Sequence, residues 1–329
     1  MNLGIFGATG LVGQTMLAIL ETRPAFKDVQ VKVYASSRSK GQEIQFRGQT
    51  LVIEELTEET IKNSGLDYAL SALDADLAAK FLPVAAEAGI VCIDNSSKFR
   101  MDPDKPLVVP EINLDTIKEG DKIIASPNCS TIQSVIPLKP LYDAFGIKRI
   151  VYSTYQSTSG SGVGGLRDLE EGLKGKEPTT YPYPIAFNLI PHIDKFLENG
   201  YTKEEMKMIN ETRKILGDET LAITATAVRV PVKSAHAVSI NVETKKPFKM
   251  EEVYKVLEDF PGIVLEDDPA HNIYPMNLYT EGKDEVYVGR IRRDESVENG
   301  INLWCTADNI RKGAALNTIQ ILEKVAKLG

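Results

Sequence analysis

Leu3-Gly4-Ile5-Phe6-Gly7-Ala8-Thr9-Gly10-Leu11-Val12-Gly13 runs from a short apolar segment through a glycine-punctuated loop into a periodic apolar one. Val12, Met16, Ile19 and Leu20 recur at helical spacing, so the stretch reads as strand, loop and helix. Glycines at positions 7, 10 and 13 let backbone N–H groups from Gly7 through Thr9, Gly10, Leu11, Val12 and Gly13 approach a pyrophosphate, which then sits on the positive end of the helix. The spacing is GxxGxxG, a variant of the dinucleotide-binding fingerprint, and the flanking strand and helix give it its meaning.

Outward from the loop, Gln30 to Tyr34 is the next expected strand. In such folds its end carries an acid that bonds the adenosine ribose of NAD, but here the chain reads Ala35-Ser36-Ser37-Arg38-Ser39. An arginine among three serines suits an extra phosphate, so NADP is the expected cofactor. Further strands are expected at Asp67–Ser71, Ile90–Asp94, Leu107–Val109 and Lys122–Ala125, with a helix over Ala75–Ala88. This alternation predicts a Rossmann-type, doubly wound parallel sheet of the α/β class. Arg100 follows the Ile90–Asp94 strand at the edge where ligands bind in such sheets, and is a candidate anion clamp.

Ser126-Pro127-Asn128-Cys129-Ser130-Thr131 lies between an expected strand and an apolar periodic run. A thiol at a helix N-terminus faces unpaired N–H groups and the positive dipole end, both of which favour thiolate. Cys129 is therefore the candidate nucleophile. Cys92 and Cys305 fall inside expected strands and read as structural.

Beyond Arg149 the pattern changes to an α+β domain. Ile150 to Tyr155 alternates as a strand and delivers Gln156 at its end, where an amide can position a carbonyl. Residues 156–165 are too glycine-rich for the interior of an element and read as a loop lying against a ligand. A proline- and tyrosine-rich stretch, Gly175–Pro191, reads as an ordered loop over a site. Strands are expected at Leu221–Arg229 and Ala235–Thr244, and the break at Pro231 frees Arg229 and His236 to reach one cleft. His236 is the candidate acid/base partner of Cys129, with His192 and His271 as competitors. On a helix expected from Thr202 to Leu216, Glu204 and Lys207 share a face. A last helix, about Asn309 to Ala326 and capped by Asp308 or Asn309, is expected to return to the first domain. The expected division is 1–128 with 309–329 for the nucleotide and 129–308 for catalysis and dimerisation.

At 329 residues, 43% hydrophobic and 26% charged, the chain has room for two cores, and a net charge of -8 argues against nucleic acid as a partner. Three scattered cysteines give neither a disulfide framework nor a zinc cluster, and the acids before His271 lack regular ligand spacing, so no metal is expected. Met1–Phe6 runs straight into the loop without the parts of a leader, and no apolar run reaches membrane-span length. A cytoplasmic enzyme is expected.

The glycine loop Gly7–Gly13, Pro127-Asn128-Cys129-Ser130-Thr131, Ser153-Thr154-Tyr155-Gln156, Arg229-Val230-Pro231 with Ser234-Ala235-His236, and Gly289-Arg290-Ile291-Arg292 together resemble the aspartate-semialdehyde dehydrogenase family over essentially the whole chain. The resemblance implies NADP-dependent reductive dephosphorylation of aspartyl phosphate to aspartate semialdehyde and phosphate through a cysteine thioester. That step lies on the route to lysine by way of diaminopimelate, and to threonine, methionine and isoleucine. It implies Cys129 as nucleophile, His236 as acid/base and Gln156 as the residue orienting the acyl group. Arg229 would bind the substrate carboxylate and Glu204 its amino group, Arg100 and Lys207 would hold phosphate, and Asn128 would join the substrate contacts. Ser159, Gly160 and Asn309 would join Thr9–Val12 and Arg38 around NADP. A homodimer or dimer of dimers is implied, with no nucleic-acid or membrane partner. The region from Gly165 to Tyr181 is short beside relatives with a longer insertion. Two alternatives stay open: the reductase of N-acetyl-glutamyl phosphate, whose substrate has no free amino group for Glu204, and a non-catalytic NADP-binding regulator.

Overall fold

The computed structural model describes residues 1–328, which divide into two units, 1–127 with the C-terminal segment from 314, and 128–313. In the first unit six strands, β1 (Asn2–Phe6), β2 (Gln30–Ala35), β3 (Glu54–Glu55), β4 (Tyr68–Ser71), β5 (Val91–Asp94) and β6 (Ile123–Ala125), form one sheet in the order β3-β2-β1-β4-β5-β6. Every pairing is parallel. The chain winds outward from β1 and then returns beside it, so the loop after β1 lies at the point where the strand order reverses, which is where open α/β sheets bind ligands. Leu3, Ile5, Val33, Ile93 and Ile124 bury themselves against Met16 and Leu20 of helix Leu11–Thr22 and against Leu316, Ile319 and Leu322 of helix Leu316–Val325. The C-terminal helix is therefore part of this core.

Two elements of this unit differ from the sequence reading. Leu107–Val109 is not a strand. Only Leu107 bridges to Ala125, because the Asn113 amide takes the Val109 N–H (2.9 Å) and the Leu107 carbonyl (2.8 Å), while Pro110 starts a short helix. The last helix does not begin at Asn309. Asp308 accepts from the N–H groups of Ile310 and Arg311, both at 2.9 Å, and the chain makes a π-helical turn, Arg311–Ala315, before the α-helix starts at Leu316.

In the second unit β7 (Ile147–Gln156), β8 (Ala222–Arg229), β9 (His236–Thr244), β10 (Ile263–Leu265), β11 (Val286–Asp294) and β12 (Gly300–Ala307) form a mixed sheet in the order β8-β7-β9-β12-β11-β10. Helices Cys129–Phe145, Lys203–Leu216 and Met250–Glu258 cover one face. The strands alternate accordingly. Ile150, Tyr152, Val238, Ile240, Val242, Ile301, Leu303 and Cys305 are buried under the helices, while Val151, Ser153, Ser239, Asn241, Asn302 and Trp304 between them are half-exposed. The glycine-rich segment is not wholly a loop, because Gly162–Gly172 is a helix. Its glycines serve close packing: a Cβ on Gly165 would lie 2.3 Å from the Thr158 carbonyl oxygen, and one on Gly164 2.6 Å from Thr180 Oγ1.

Candidate active site

Cys129 is the first residue of helix Cys129–Phe145 and is half-buried. Asn128 makes the cap: its Oδ1 accepts from the N–H groups of Ser130 (2.9 Å) and Thr131 (3.4 Å), its own N–H donates to Glu211 Oε2 (2.7 Å), and its Nδ2 donates to Glu204 Oε1 (2.9 Å). Asn128 thus ties the start of the Cys129 helix to two carboxylates on helix Lys203–Leu216. The other two thiols are unlike Cys129. Burial pushes the pKa of both Cys92 and Cys305 up to about 12, so each stays protonated in its core.

The strand ends converge on one edge of the second sheet. Gln156 ends β7 and pairs in register with Arg229 at the end of the parallel β8, while antiparallel β9 begins there with His236, which pairs with Ala307 of β12. Gln156 shares the buried parity of Ile150 and Tyr152, and His236 that of Val238 and Ile240, so both point to the helix-covered face. Arg229 follows Ala225 and Ala227 onto the buried side of its own strand. The break after Pro231, with Ala235 at φ 61°, lets Arg229 and His236 come from two different strands, and they meet across Gly160. A Cβ on Gly160 would lie 2.8 Å from Arg229 Nη1 and 3.2 Å from His236 Nε2. Arg229 Nη1 donates to the Ser157 carbonyl at 2.6 Å, while its Nε is buried without a partner. Burial, and next the Arg229 charge, hold the His236 imidazole well below its usual pKa, against a smaller opposing hydrogen bond that the ring donates to the Ala235 backbone.

Glu204 is the hub of the polar cluster. Oε1 accepts from Asn128 and from Gln156 Nε2 (3.2 Å), and Oε2 pairs with Lys207 Nζ at 3.1 Å. Burial alone would raise its pKa. The Lys207 ammonium and the hydrogen bonds from Asn128 and Gln156 outweigh it, and the carboxyl is held below the usual range. Lys207 also donates to Asp194 at 2.9 Å, so two carboxylates already balance its charge.

The proline- and tyrosine-rich stretch has few regular elements, and Asp168 anchors it. The backbone N–H groups of Thr179 (3.0 Å), Thr180 (2.6 Å) and Tyr181 (2.9 Å) all donate to this carboxylate. That anchor sets the Tyr181 ring 5.9 Å from the Arg229 guanidinium carbon. Ser159 and Asn309, 150 residues apart in sequence, exchange hydrogen bonds at 3.0 and 3.2 Å.

In the first unit, Gly7 takes φ 87° and a Cβ there would lie 2.8 Å from the Ala72 carbonyl oxygen, so only glycine fits. Gly7 and Gly10 commit their own N–H groups to protein carbonyls, that of Tyr34 on β2 (2.9 Å) and that of Gly7 (3.1 Å), so they shape the loop rather than donate to a ligand. Helix Leu11–Thr22 has no side-chain cap and no acid in its first turn, which leaves the early amides from Leu11 on for an anion. Gly13 presses on the loop, since a Cβ there would be 2.3 Å from the Gly7 oxygen. Ser36 precedes a short turn, Ser37–Ser39, in which Arg38 is exposed. The register of β2 and β3 sets Glu55 opposite Ala35, with Lys40 3.5 Å from its carboxylate. Arg100 is buried and donates to the carbonyls of Ser126 and Asn95, each at 2.9 Å.

Sequence reasoning missed Ser157, Asp168, Tyr181, Glu211 and Gly313. Ser157 was legible only as the neighbour of Gln156, and Asp168 only as one acid in a helix full of them. Gly313 carried a signal, a glycine inside an expected helix.

The Semialdehyde dehydrogenase, NAD binding domain family matches residues 2–120, and the Semialdehyde dehydrogenase, dimerisation domain family matches residues 138–312. The aspartate-semialdehyde dehydrogenase of Aquifex aeolicus is 48% identical, covering 100% of this chain and 98% of that protein. The crystal structure of aspartate semialdehyde dehydrogenase II complexed with ASA from Vibrio cholerae superposes with a TM-score of 0.94 at 46% identity, covering 99% of this chain and 98% of that one. The structure of the Candida albicans enzyme with NADP gives a TM-score of 0.78 at 27% identity, covering 99% and 98%. No helix among the described residues is long and apolar enough to cross a membrane.

Proposed function

The chain belongs to the aspartate-semialdehyde dehydrogenase family, and from that premise we propose that it reduces aspartyl phosphate to aspartate semialdehyde and phosphate, with NADP as cofactor, through a thioester on Cys129. The observation that carries this reading is the meeting of Arg229 and His236 against Gly160. Arg229 Nε and His236 Nε2 are both buried without protein partners, and a buried cation with an unsatisfied donor is costly unless a ligand completes it.

The residues divide the work as follows. Cys129, at the positive end of its helix, attacks the acyl carbon; its bond to sulfur forms as the bond to phosphate breaks, and phosphate leaves with the electron pair. Arg229 holds the substrate carboxylate in a bidentate pair, with Tyr181 closing over it. Gln156 orients the acyl group, and Glu204 meets the substrate ammonium, which shares its carboxylate with Lys207. Arg100 and Lys207 serve as phosphate-binding cations, with Asn128 beside the thiol. Thr9, Leu11, Val12, the Ser36–Ser39 turn, Ser159, Gly160 and Asn309 would hold the dinucleotide. When bound, its reduced nicotinamide supplies the hydride that converts the acyl thioester to the aldehyde. The first unit is assigned to the nucleotide and the second to catalysis and to a homodimer or dimer of dimers, in a cytoplasmic enzyme of lysine, threonine and methionine synthesis.

The test is oxidation of aspartate semialdehyde by NADP and by NAD, with and without phosphate. Phosphate-dependent turnover that favours NADP is expected. Turnover without phosphate, or preference for the N-acetylated glutamate semialdehyde, contradicts the reading.

A further inference from the structure

Helix Lys203–Leu216 closes its own N-terminus with a capping box: the Thr202 hydroxyl accepts from the Glu205 N–H at 3.3 Å, and the Glu205 carboxylate takes the Thr202 N–H at 2.7 Å. The helix that begins at Cys129 does not. Its third residue is Thr131, whose hydroxyl is buried without a protein partner, and no acid stands in its first turn. The N–H of its cap, Asn128, goes instead to Glu211 Oε2 at 2.7 Å, 83 positions along the chain. Glu211 is 1% exposed and follows Glu204 by seven residues on one helix, so the two carboxylates stand two turns apart on the same face. They take Asn128 at its backbone and at its side chain.

The two grips differ in kind. Glu204 also receives Gln156 Nε2 and Lys207 Nζ, and the proposed reading adds the substrate ammonium, so its partners change as substrate comes and goes. Glu211 is sealed from solvent and holds the backbone N–H of the residue bonded to Cys129. Its helix is fastened to the strands that carry the substrate residues: Thr212 Oγ1 lies 3.0 Å from the Tyr152 hydroxyl on β7, and Glu205 Oε1 accepts the Ala227 N–H of β8 at 2.9 Å. Gln156 ends β7 and Arg229 ends β8. Helix Lys203–Leu216 therefore connects the start of the nucleophile's helix to both.

We infer that Glu211 is a positioning residue that sets the place of the Cys129 thiol relative to Gln156 and Arg229, through the reach of its oxygen to the Asn128 N–H rather than through its charge. With that bond made, the Asn128 backbone is fixed and its Oδ1 stays on the Ser130 and Thr131 N–H groups. Without it the cap swings, and the thiol moves with it. The inference rests on the proposed reading only in taking Cys129 as the nucleophile.

Two variants separate reach from charge. Glu211→Gln keeps an oxygen at the same reach and loses the charge, whereas Glu211→Asp keeps the charge and is one methylene short. On the full chain, steady-state oxidation of aspartate semialdehyde is measured beside the pH dependence of Cys129 alkylation by iodoacetamide, the modified peptide being identified by mass. Circular dichroism reports folding. Glu211→Asp should lower kcat about 100-fold, as a displacement of about 1 Å does, with KM for the semialdehyde changed less than about threefold. Its alkylation midpoint should move up in pH, because a displaced thiolate loses the helix end that favours it. Glu211→Gln should keep kcat within about threefold of wild type, with no upward movement of the midpoint. Equal losses in the two variants, a Gln variant worse than the Asp one, or wild-type kcat and alkylation in Glu211→Asp each overturn the inference. If Glu211→Asp does not fold, Glu211→Gln decides: retained kcat supports a role in reach, and a loss of about 100-fold refutes it. Alkylation needs no substrate, so a protein that fails to turn over aspartate semialdehyde would sink the proposed function while the midpoints still test Glu211.

Discussion

Gly313 lies against Cys129 so closely that a Cβ added to it would sit 2.7 Å from the Cβ of Cys129 and 3.2 Å from its Cα. The π-helical turn brings it there, with the Gly313 N–H donating to the Asp308 carbonyl at 3.0 Å. Gly313→Ala should therefore act on the thiol. Overpacking of this kind costs about 1–3 kcal/mol of stability, and a displacement of about 1 Å at the nucleophile lowers turnover about 100-fold. Steady-state kinetics with thermal unfolding check both. A variant with wild-type kcat would mean that the turn, and not the glycine, sets the position of Cys129.

Cys129→Ala should lose turnover entirely while the nucleotide still binds, because the loop after β1 and the Arg38 turn belong to the other compact unit. Cys92→Ala and Cys305→Ala should keep turnover and lose some stability instead, since both side chains are fully buried and leave cavities. Activity assays, titration of nucleotide fluorescence and denaturant unfolding of the three variants separate these outcomes.

The glycine loop, the parallel sheet and Cys129 at a helix start were legible because each follows from local pattern: apolar period, loop glycines and a polar residue before a helix. The strands carrying Gln156, Arg229 and His236 were legible for the same reason. What joins them was not. That Gln156 and Arg229 are register partners depends on β7 and β8 pairing parallel across more than seventy residues. Asn128 could be read as a polar neighbour of the thiol, but its three-way tie to Glu204, Glu211 and the helix start needs the long-range packing of two helices. The Glu55 carboxylate opposite Ala35 arrives from another strand, so no reading of Ala35–Ser39 alone can find it.

Glu204 makes the stability pH-dependent. Its folded pKa is depressed, so its contribution is complete above the unfolded value of about 4.3 and is lost as the pH falls through the folded value below it. Acid unfolding monitored by circular dichroism should show this loss in the wild type and less of it in Glu204→Gln. At neutral pH, Glu204→Gln leaves the half-buried Lys207 paired with Asp194, and should cost less than the ~3–5 kcal/mol lost when a fully buried pair is broken from one side. Equal acid sensitivity in both proteins would place the titrating group elsewhere.

Asp168→Asn tests the loop that carries Tyr181. The burial of this carboxylate opposes ionisation, yet the backbone donors of Tyr181, Thr179 and Thr180 hold its pKa below the usual range. Asparagine cannot accept all of these bonds as a charged group does, and each hydrogen bond to a charge contributes about 1.5–3 kcal/mol. Limited proteolysis between Lys176 and Tyr183 should become faster, and KM for the semialdehyde should rise more than kcat falls, because Tyr181 faces Arg229 rather than the thiol. An unchanged KM would show that the loop does not help hold the substrate.

Cofactor choice turns on Arg38. It stands exposed in the turn after β2, with serines on either side and no carboxylate at the strand end. The nearby Glu55 is the one feature that speaks for an unphosphorylated ribose, and Lys40 at 3.5 Å offsets its charge. If Arg38 holds the extra phosphate of NADP, Arg38→Ala removes a charge-assisted bond of about 1.5–3 kcal/mol, which is about a 10- to 100-fold loss in apparent NADP affinity. NAD, which lacks that phosphate, should be affected less than twofold. Lys40→Ala exposes the Glu55 charge and should weaken NADP while improving NAD. Measuring KM for both cofactors in wild type and the two variants decides the matter: equal losses for NADP and NAD in Arg38→Ala would mean that Arg38 supports the turn and reads no phosphate.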